Sequence, residues 1–273
     1  LNNLQLPLPR GEFNFKPISP KQTLKLIKKL KKSPSTDTTG IPQSAFKCWA
    51  EVMCFPLSRI INRSFETGDF PNAWKVAKIV PIYKGTGDRL DTKFYRPLSM
   101  LHPATKVLEL AVCEQITDFL EKKGLLPRSQ HGFRRKRSTT SAAADLIDWI
   151  DCQRNEGKKC GLLIFDYSSA FDMISNEVLK KKLESWGATA KVRDWFFSYT
   201  SDRTMRVCVD GEYSDEFRVA SLIPQGSSLS PITYLAYVFD VANKLDSDNV
   251  KTEGYADDTS TGVAGGGVKD LMC

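Results

Sequence analysis

Close to the end of the chain, Gly254, Tyr255, Ala256, Asp257, Asp258 and Thr259 set two carboxylates side by side between β-favouring residues. Val250 and Thr252 precede the pair, and Thr259, Thr261 and Val263 follow it. Such alternation around a short polar centre reads as the tip of a tight hairpin. Neighbouring strand side chains point to opposite faces, so only one of the two carboxylates can head a shared site unless the turn redirects the other. Asp also favours turns by bonding its own backbone, and a turn role alone would account for an isolated pair.

A second carboxylate-bearing stretch, Gly161 to Asp172 (GLLIFDYSSAFD), adds a chemical reason for the pair. Leu162 to Phe165 form an apolar run expected to be a buried strand, and the run ends on Asp166. A strand that delivers a carboxylate at its end, facing a hairpin tip that carries another, can hold two hard cations. Magnesium takes oxygen ligands and keeps waters and substrate phosphates in its shell. Two such ions about 3.5–4 Å apart clamp the attacking and leaving oxygens of a phosphoryl transfer. Asp166 could equally cap the following helix, as could Asp172 or Ser175.

Three stretches, FDYSSAFD, IPQGSSLSP and YADD, occur in that order across the second half of the chain. Together they resemble the reverse transcriptase of non-LTR (LINE-type) retrotransposons, and the resemblance covers nearly the whole sequence. It implies an α/β (α+β) polymerase core of the right-hand type, with fingers and palm and an antiparallel palm sheet carrying the carboxylates. The fingers-like part would occupy residues 1–155 and the palm 156–273, partly interleaved, with the thumb missing. The implied activity is RNA-templated DNA synthesis, in which a primer 3′-hydroxyl attacks the α-phosphorus of a dNTP. Two Mg²⁺ ions are implied, with Mn²⁺ able to substitute, and the partners would be an RNA template, a DNA primer and dNTP.

The same resemblance implies roles for individual residues. Asp166 and Asp257 would bridge both metals, with Asp258 beside them, and clustered carboxylates call for a cation on charge grounds as well. Tyr167 would lend its backbone to a metal or the triphosphate. Phe171 would crowd C2′ of the sugar and select deoxynucleotides. Gln225 would reach the sugar and base while Gly226 lets backbone approach the nucleotide. Tyr255 would support the primer terminus, Lys84 and Arg96 would reach the triphosphate, and Arg134, Arg135, Lys136 and Arg137 would meet the template backbone. Relatives usually carry Gly-Val before Pro-Gln, where this chain has Leu222 and Ile223. That departure keeps a rival open, an inactive nucleic-acid-binding remnant of a decayed retroelement.

The balance of 39 Lys and Arg against 32 Asp and Glu, a net charge of +7, suits a polyanionic partner. The seven cysteines are scattered without a Cys-x-x-Cys, and His102 and His131 are the two histidines, so neither a zinc site nor a disulfide framework is expected. No apolar run reaches the ~20 residues of a membrane span, and no signal peptide is visible, which suggests an intracellular protein of cytoplasm or nucleus with no membrane partner. The start on Leu1 and the end at Cys273 read as a fragment cut at both ends.

Along the rest of the chain, Pro20 to Lys32 reads as a basic amphipathic helix. Gln43 to Glu66 places Phe46, Trp49, Val52, Met53, Leu57, Ile60, Ile61 and Phe65 at helical spacing as core, with Pro56 starting a second helix or kinking the first. Lys75 to Tyr83 and Phe94 to Ser99 form a hairpin about the turn at Gly85 to Asp88. Ala104 to Lys123 is a helix stopped by Gly124, in which Lys106 and Glu109 are placed to pair. Helices are expected over Asn176 to Trp186, Ala190 to Tyr199 and about Leu229 to Leu245, and a hairpin around Asp210 and Gly211.

Overall fold

Helix boundaries follow the capping residues. Ser19 opens α1 (Pro20–Lys29) with a capping box: its hydroxyl accepts from the Gln22 N–H at 3.3 Å, and the Gln22 side chain accepts from the Ser19 N–H at 2.8 Å. The helix buries Thr23, Leu26 and Ile27 and leaves its lysines in solvent. This computed structural model describes residues 11–165, 174–221, 223–238 and 245–267.

The helical segment after Pro42 breaks at Trp49 into α2 (Gln43–Cys48) and α3 (Ala50–Thr67). Pro56 lies inside α3, and Gly68 ends that helix at φ 78°, in the left-handed region. Phe46, Leu57, Ile61 and Phe65 are buried as expected, but Trp49, Val52 and Ile60 are exposed. One face of α3 packs inward; its apolar residues outnumber the positions on that face.

The chain then forms β1 (Val76–Tyr83) and β2 (Tyr95–Met100), an antiparallel hairpin with Tyr83 opposite Tyr95. Next come α4 (Pro103–Lys123) and α5 (Thr139–Asn155), the latter started by a Ser138 capping box, and then β3 (Lys159–Phe165). Ser175 caps α6 (Asn176–Ser185), and α7 (Ala190–Thr200) leads into β4 (Ser201–Val209). β5 (Glu212–Tyr213) turns back at Asp210 and Gly211, whose φ values are 51° and 92°. β6 (Phe217–Ser221), α8 (Ser230–Val238), β7 (Val250–Tyr255) and β8 (Asp258–Gly265) complete the order.

Two compact units result, and the chain passes through them in alternation. One comprises Leu1–Phe119 with Ile174–Ser230; the other comprises Leu120–Met173 with Pro231–Cys273. In the first, β1 pairs β2 antiparallel and β4 parallel, while β4 also pairs β5 and β6 antiparallel. Its core centres on aromatic rings. Trp195 stacks on Tyr199 at 5.5 Å and meets Phe15, Phe70 and Phe196 edge-on, and its indole N–H donates to Ser64 Oγ at 2.8 Å.

In the second unit the sheet is antiparallel throughout, in the order β3-β8-β7. The α5 residues Leu146 and Trp149 lie against Gly262 of β8, where a Cβ would come within 2.6 Å of Trp149 Cζ3. Strand β3 forms where the apolar run predicts, but not as a buried strand: Leu162 and Leu163 are 50% exposed and Ile164 is 72% exposed. Among the described residues β3 is an edge strand with β8 as its neighbour, so apolarity here marks the strand without marking its depth. Among those residues, too, no helix is long and apolar enough to cross a membrane.

Because Trp195 is fully buried at the centre of the ring cluster, Trp195→Ala should cost about 3–5 kcal/mol through lost packing and the cavity left behind. Denaturant unfolding of parent and variant would check this; a loss under about 1 kcal/mol would contradict a close-packed centre.

Candidate active site

The register Tyr255↔Asp258 leaves Ala256 and Asp257 as a two-residue turn between β7 and β8. Ala256 sits at φ 60°, a left-handed conformation that an L-residue enters at a cost of about 1–2 kcal/mol. Asp257 is half-buried in the turn, while Asp258 and Tyr255 are exposed at the strand ends. Both carboxylates thus lie at one hairpin tip, as their sequence predicts. On the other side of β8, Phe165 pairs with Thr259, so the described end of β3 lies beside the same tip. Asp166, Tyr167 and Phe171 lie outside the described residues, and so does Leu222.

The hairpin tip is held by the segment Ser129–Gly132. Gly254 N–H donates to Ser129 O and His131 N–H donates to Gly254 O, both at 2.8 Å, which adds a short parallel bridge to β7. Gly132 follows directly, and its missing side chain is a steric necessity. A Cβ there would lie 2.1 Å from Ala256 N and 3.0 Å from Tyr255 C, far inside any real contact. Glycine is therefore required at 132 by the close approach of two backbones.

Behind this bridge, His131 and Glu253 are almost fully buried, at 1% and 3% side-chain exposure. His131 Nε2 lies 3.1 Å from Glu253 Oε2 and 3.4 Å from Asp145 Oδ2, and its Nδ1 lies 2.7 Å from Ser141 Oγ. Three atoms of metal-ligand type thus fall within 4.8 Å of one another. The cluster nevertheless contains its own cations: Arg137 approaches His131 Nε2 at 3.0 Å and Lys251 approaches Glu253 Oε1 at 3.0 Å. A metal ion there would meet a guanidinium at contact distance. Burial raises the Glu253 pKa and lowers that of His131, the latter helped by Arg137, so both groups are pushed toward their neutral forms.

The run Arg134 to Arg137 does not present four equal cations. Arg134 forms a bidentate pair with Glu121, at 2.9 and 2.8 Å, and also donates to Pro127 O and Gln130 O. Arg137 donates to Arg128 O and faces His131. Arg135 and Lys136 are the exposed members, and Lys136 takes φ 62° in the tight loop.

The remaining expected substrate residues lie in the first compact unit. Lys84 stands beyond the end of β1 and donates to Lys93 O at 2.7 Å, whereas Arg96 is exposed on β2 opposite Ile82. Gln225 O accepts from Ser99 N–H of β2 at 2.9 Å. Gly226, at φ 102°, packs so closely that an added Cβ would lie 3.2 Å from Leu98 Cδ1 and 3.3 Å from Ser99 O.

A buried carboxylate, unsuspected as such, holds the residues that follow. Glu109 does not pair with Lys106 as helix spacing suggests; it is wholly buried. Its Oε1 accepts from the Tyr199 hydroxyl at 2.7 Å and its Oε2 from Ser228 N–H at 2.9 Å. Ser227 Oγ lies 2.8 Å from the Tyr199 oxygen and accepts from Leu229 N–H. Buried Arg203 donates to Tyr199 O at 2.9 Å, with its guanidinium 5.1 Å from the Tyr199 ring centre. Burial drives the Glu109 pKa upward, against the hydrogen bonds it accepts. The only hint in the sequence was a Glu on the apolar face of α4, beside Val107, Leu108 and Val112.

The profile of the reverse transcriptase (RNA-dependent DNA polymerase) family matches residues 82–265, which include both the hairpin tip and the Gln225 turn. The chain belongs to this family. Its relatives include polymerases of non-LTR elements, as the motif order implied. It is 28% identical over 265 residues to the probable RNA-directed DNA polymerase from transposon BS of Drosophila melanogaster, covering 94% of this chain and 29% of that protein. It is 29% identical over 213 residues to the RNA-directed DNA polymerase from mobile element jockey of the same fly, covering 75% of this chain and 23% of that protein. The chain therefore spans under a third of the length of these relatives. Among solved structures, a telomerase from Candida tropicalis, without ligand and truncated from its C-terminal domain, shares the fold. The TM-score is 0.53 at 15% identity, over 81% of this chain and 50% of that one. The family generally uses divalent metal ions, which suits the oxygen donors at the hairpin tip.

Gly132→Ala should destabilise the second unit by about 3 kcal/mol, the upper range for forced overpacking, because the contact is backbone and cannot swing aside. Thermal unfolding of the variant checks this, and an unchanged midpoint would refute the close approach. Because the folded-state pKa of Glu109 lies above its ordinary value of 4.5, its contribution to stability is full below that value and is lost as pH rises through the raised folded pKa. Glu109→Gln should remove that component, so the stability difference between parent and variant should shift in the variant's favour with rising pH. Denaturant titrations at several pH values would show a constant difference if Glu109 does not titrate anomalously.

Proposed function

We propose that this chain carries out RNA-templated DNA synthesis, extending a DNA primer with dNTP as part of a non-LTR retroelement. The observation that supports the reading most is the register of the second unit's sheet, in which the end of β3 lies beside the Asp257–Asp258 tip. Asp166 follows Phe165 in sequence. We assign Asp166, Asp257 and Asp258 as ligands of two Mg²⁺ ions, with Mn²⁺ able to substitute. The donor set fits, since all three are hard carboxylate oxygens, with Asp258 exposed and Asp257 half-buried at the tip. When bound, the ions would polarise the α-phosphate and activate the primer hydroxyl.

The chain's own residues position and neutralise. The exposed Arg96 offers a planar fork for triphosphate oxygens, and Lys84 offers a point charge near the turn of the same hairpin. Gln225 and Gly226 would face the sugar and base, Tyr167 would lend backbone, and Phe171 would exclude a 2′-hydroxyl. Tyr255, exposed at the end of β7, is suited to support the primer terminus. Arg135 and Lys136 are the members of the basic run open to a template backbone; Arg134 and Arg137 would act mainly by shaping the loop that presents them. In this reading residues 1–155 serve as fingers and residues 156–273 as palm.

Asp257→Asn should lower incorporation on an RNA template by about a thousandfold or more, the scale of losing several kcal/mol of charge stabilisation. Salt-sensitive binding of primer–template should survive. Primer extension and filter binding with both proteins would decide: equal extension by the two would remove Asp257 from the site, and binding without extension by the parent would identify a nucleic-acid-binding remnant.

A further inference from the structure

The turn that carries Asp257 contains a strained residue, and one side chain from a distant part of the chain meets it. Gln130 is 8% exposed and sits on the parallel bridge beside Gly254. Its Oε1 accepts two backbone hydrogen bonds, from Gly132 N–H at 2.8 Å and from Ala256 N–H at 3.2 Å. Its Nε2 points to Ala256 O at 3.5 Å. Both polar groups of the Ala256 peptide units thus face one amide. Gly254 makes the space for that amide, since a Cβ there would lie 3.0 Å from Gln130 Nε2.

These contacts bear directly on the left-handed Ala256. A non-glycine residue stays in that region when its surroundings over-determine it. Here Gly132 packs against the Tyr255–Ala256 peptide from one direction, and Gln130 takes the Ala256 N–H. Either contact alone leaves the turn a way to relax; together they fix where the next Cα, that of Asp257, must lie. A carboxylate on a turn with no such tether would sample several positions, and catalytic displacement of about 1 Å can cost about a hundredfold in rate.

We propose that Gln130 is a positioning residue for the polymerase reaction, locking the Ala256 turn so that Asp257 is presented in one orientation. The inference rests on the polymerase reading for its effect on rate, but not for its effect on the turn. Gln130 touches no substrate; it acts through the backbone of Ala256. The sequence contains the pieces as Gln130-His131-Gly132 and Gly254-Tyr255-Ala256, and each glycine answers to the other stretch: Gly132 to the Ala256 backbone, Gly254 to the Gln130 amide.

The test compares the full chain with Gln130→Met, which keeps length and loses both polar groups, and Gln130→Glu, which keeps the accepting oxygen. Amide hydrogen exchange, read residue by residue by NMR, should speed at Ala256 at least tenfold in the Met variant, with the amides of β8 beyond Thr259 unchanged. The Glu variant should retain the Ala256 protection. In single-turnover primer extension with Mg²⁺, the Met variant should lose about ten- to a hundredfold in rate, while the dNTP concentration for half-maximal rate stays within threefold. Unchanged Ala256 exchange in the Met variant overturns the proposal, as does lost protection at an unchanged rate. Should the Met variant fail to fold, lost protection at Ala256 in a folded Glu variant overturns it and retained protection supports it. A parent that does not extend the primer defeats the polymerase reading alone, and the exchange result then still decides whether Gln130 locks the turn.

Discussion

The close approach of two backbones, Gly132 against the Tyr255–Ala256 peptide, is the constraint on which the candidate active site depends. An added Cβ would lie 2.1 Å from a backbone nitrogen, so the contact has no side chain in it that could yield. It allows Ser129 and His131 to hydrogen-bond with Gly254 and brings the loop holding Arg134 to Arg137 to the base of the carboxylate hairpin. Basic loop and acidic tip are thereby parts of one rigid sheet edge, and neither can be displaced without breaking main-chain hydrogen bonds.

Charge around this edge is balanced locally. The buried pair of His131 and Glu253 is flanked by Arg137 and Lys251, and Arg134 is spent on Glu121. Taking polar and charged groups out of water is costly unless partners accompany them, and each of these groups has one. What stays exposed is complementary in kind: Asp258 at the tip, suited to hard cations, and Arg135 and Lys136 on the loop, suited to a phosphate backbone. The first unit repeats the principle, with Glu109, Tyr199 and Arg203 buried together and the Ser227–Ser228 backbone fastened to them. In both units a buried polar network lies directly behind a turn assigned to substrate or metal, which is how a polar surface loop acquires a defined position.

Local signals made the elements legible. Ser19, Ser138 and Ser175 start helices, Gly68 and Gly124 end them, and Asp210-Gly211 makes the expected hairpin turn. Depth was less legible. The apolar run Leu162 to Phe165 became, among the described residues, an exposed edge strand, and Trp49 at the break between α2 and α3 and Val52 and Ile60 on α3 turned outward, because apolarity reports a preference for burial and not the number of neighbours the fold supplies.

By itself the sequence determined the secondary structure, the hairpin tip with Asp257 and Asp258, and the order of motifs that places the chain among reverse transcriptases. The elements and the hairpin tip depend on residues within a few positions of one another, where periodicity and turn chemistry act, and the motif order is read directly along the chain. Only the tertiary structure decided that Glu109 serves Tyr199 and Ser228 instead of Lys106, that Arg134 and Arg137 are tied inward, and that Gln130 holds Ala256. The separations of those partners run from 6 residues for Arg137 and His131 and 13 for Arg134 and Glu121 to 126 for Gln130 and Ala256. No local pattern encodes such a pairing, because a buried hydrogen bond is set by which backbones the fold brings within about 3 Å.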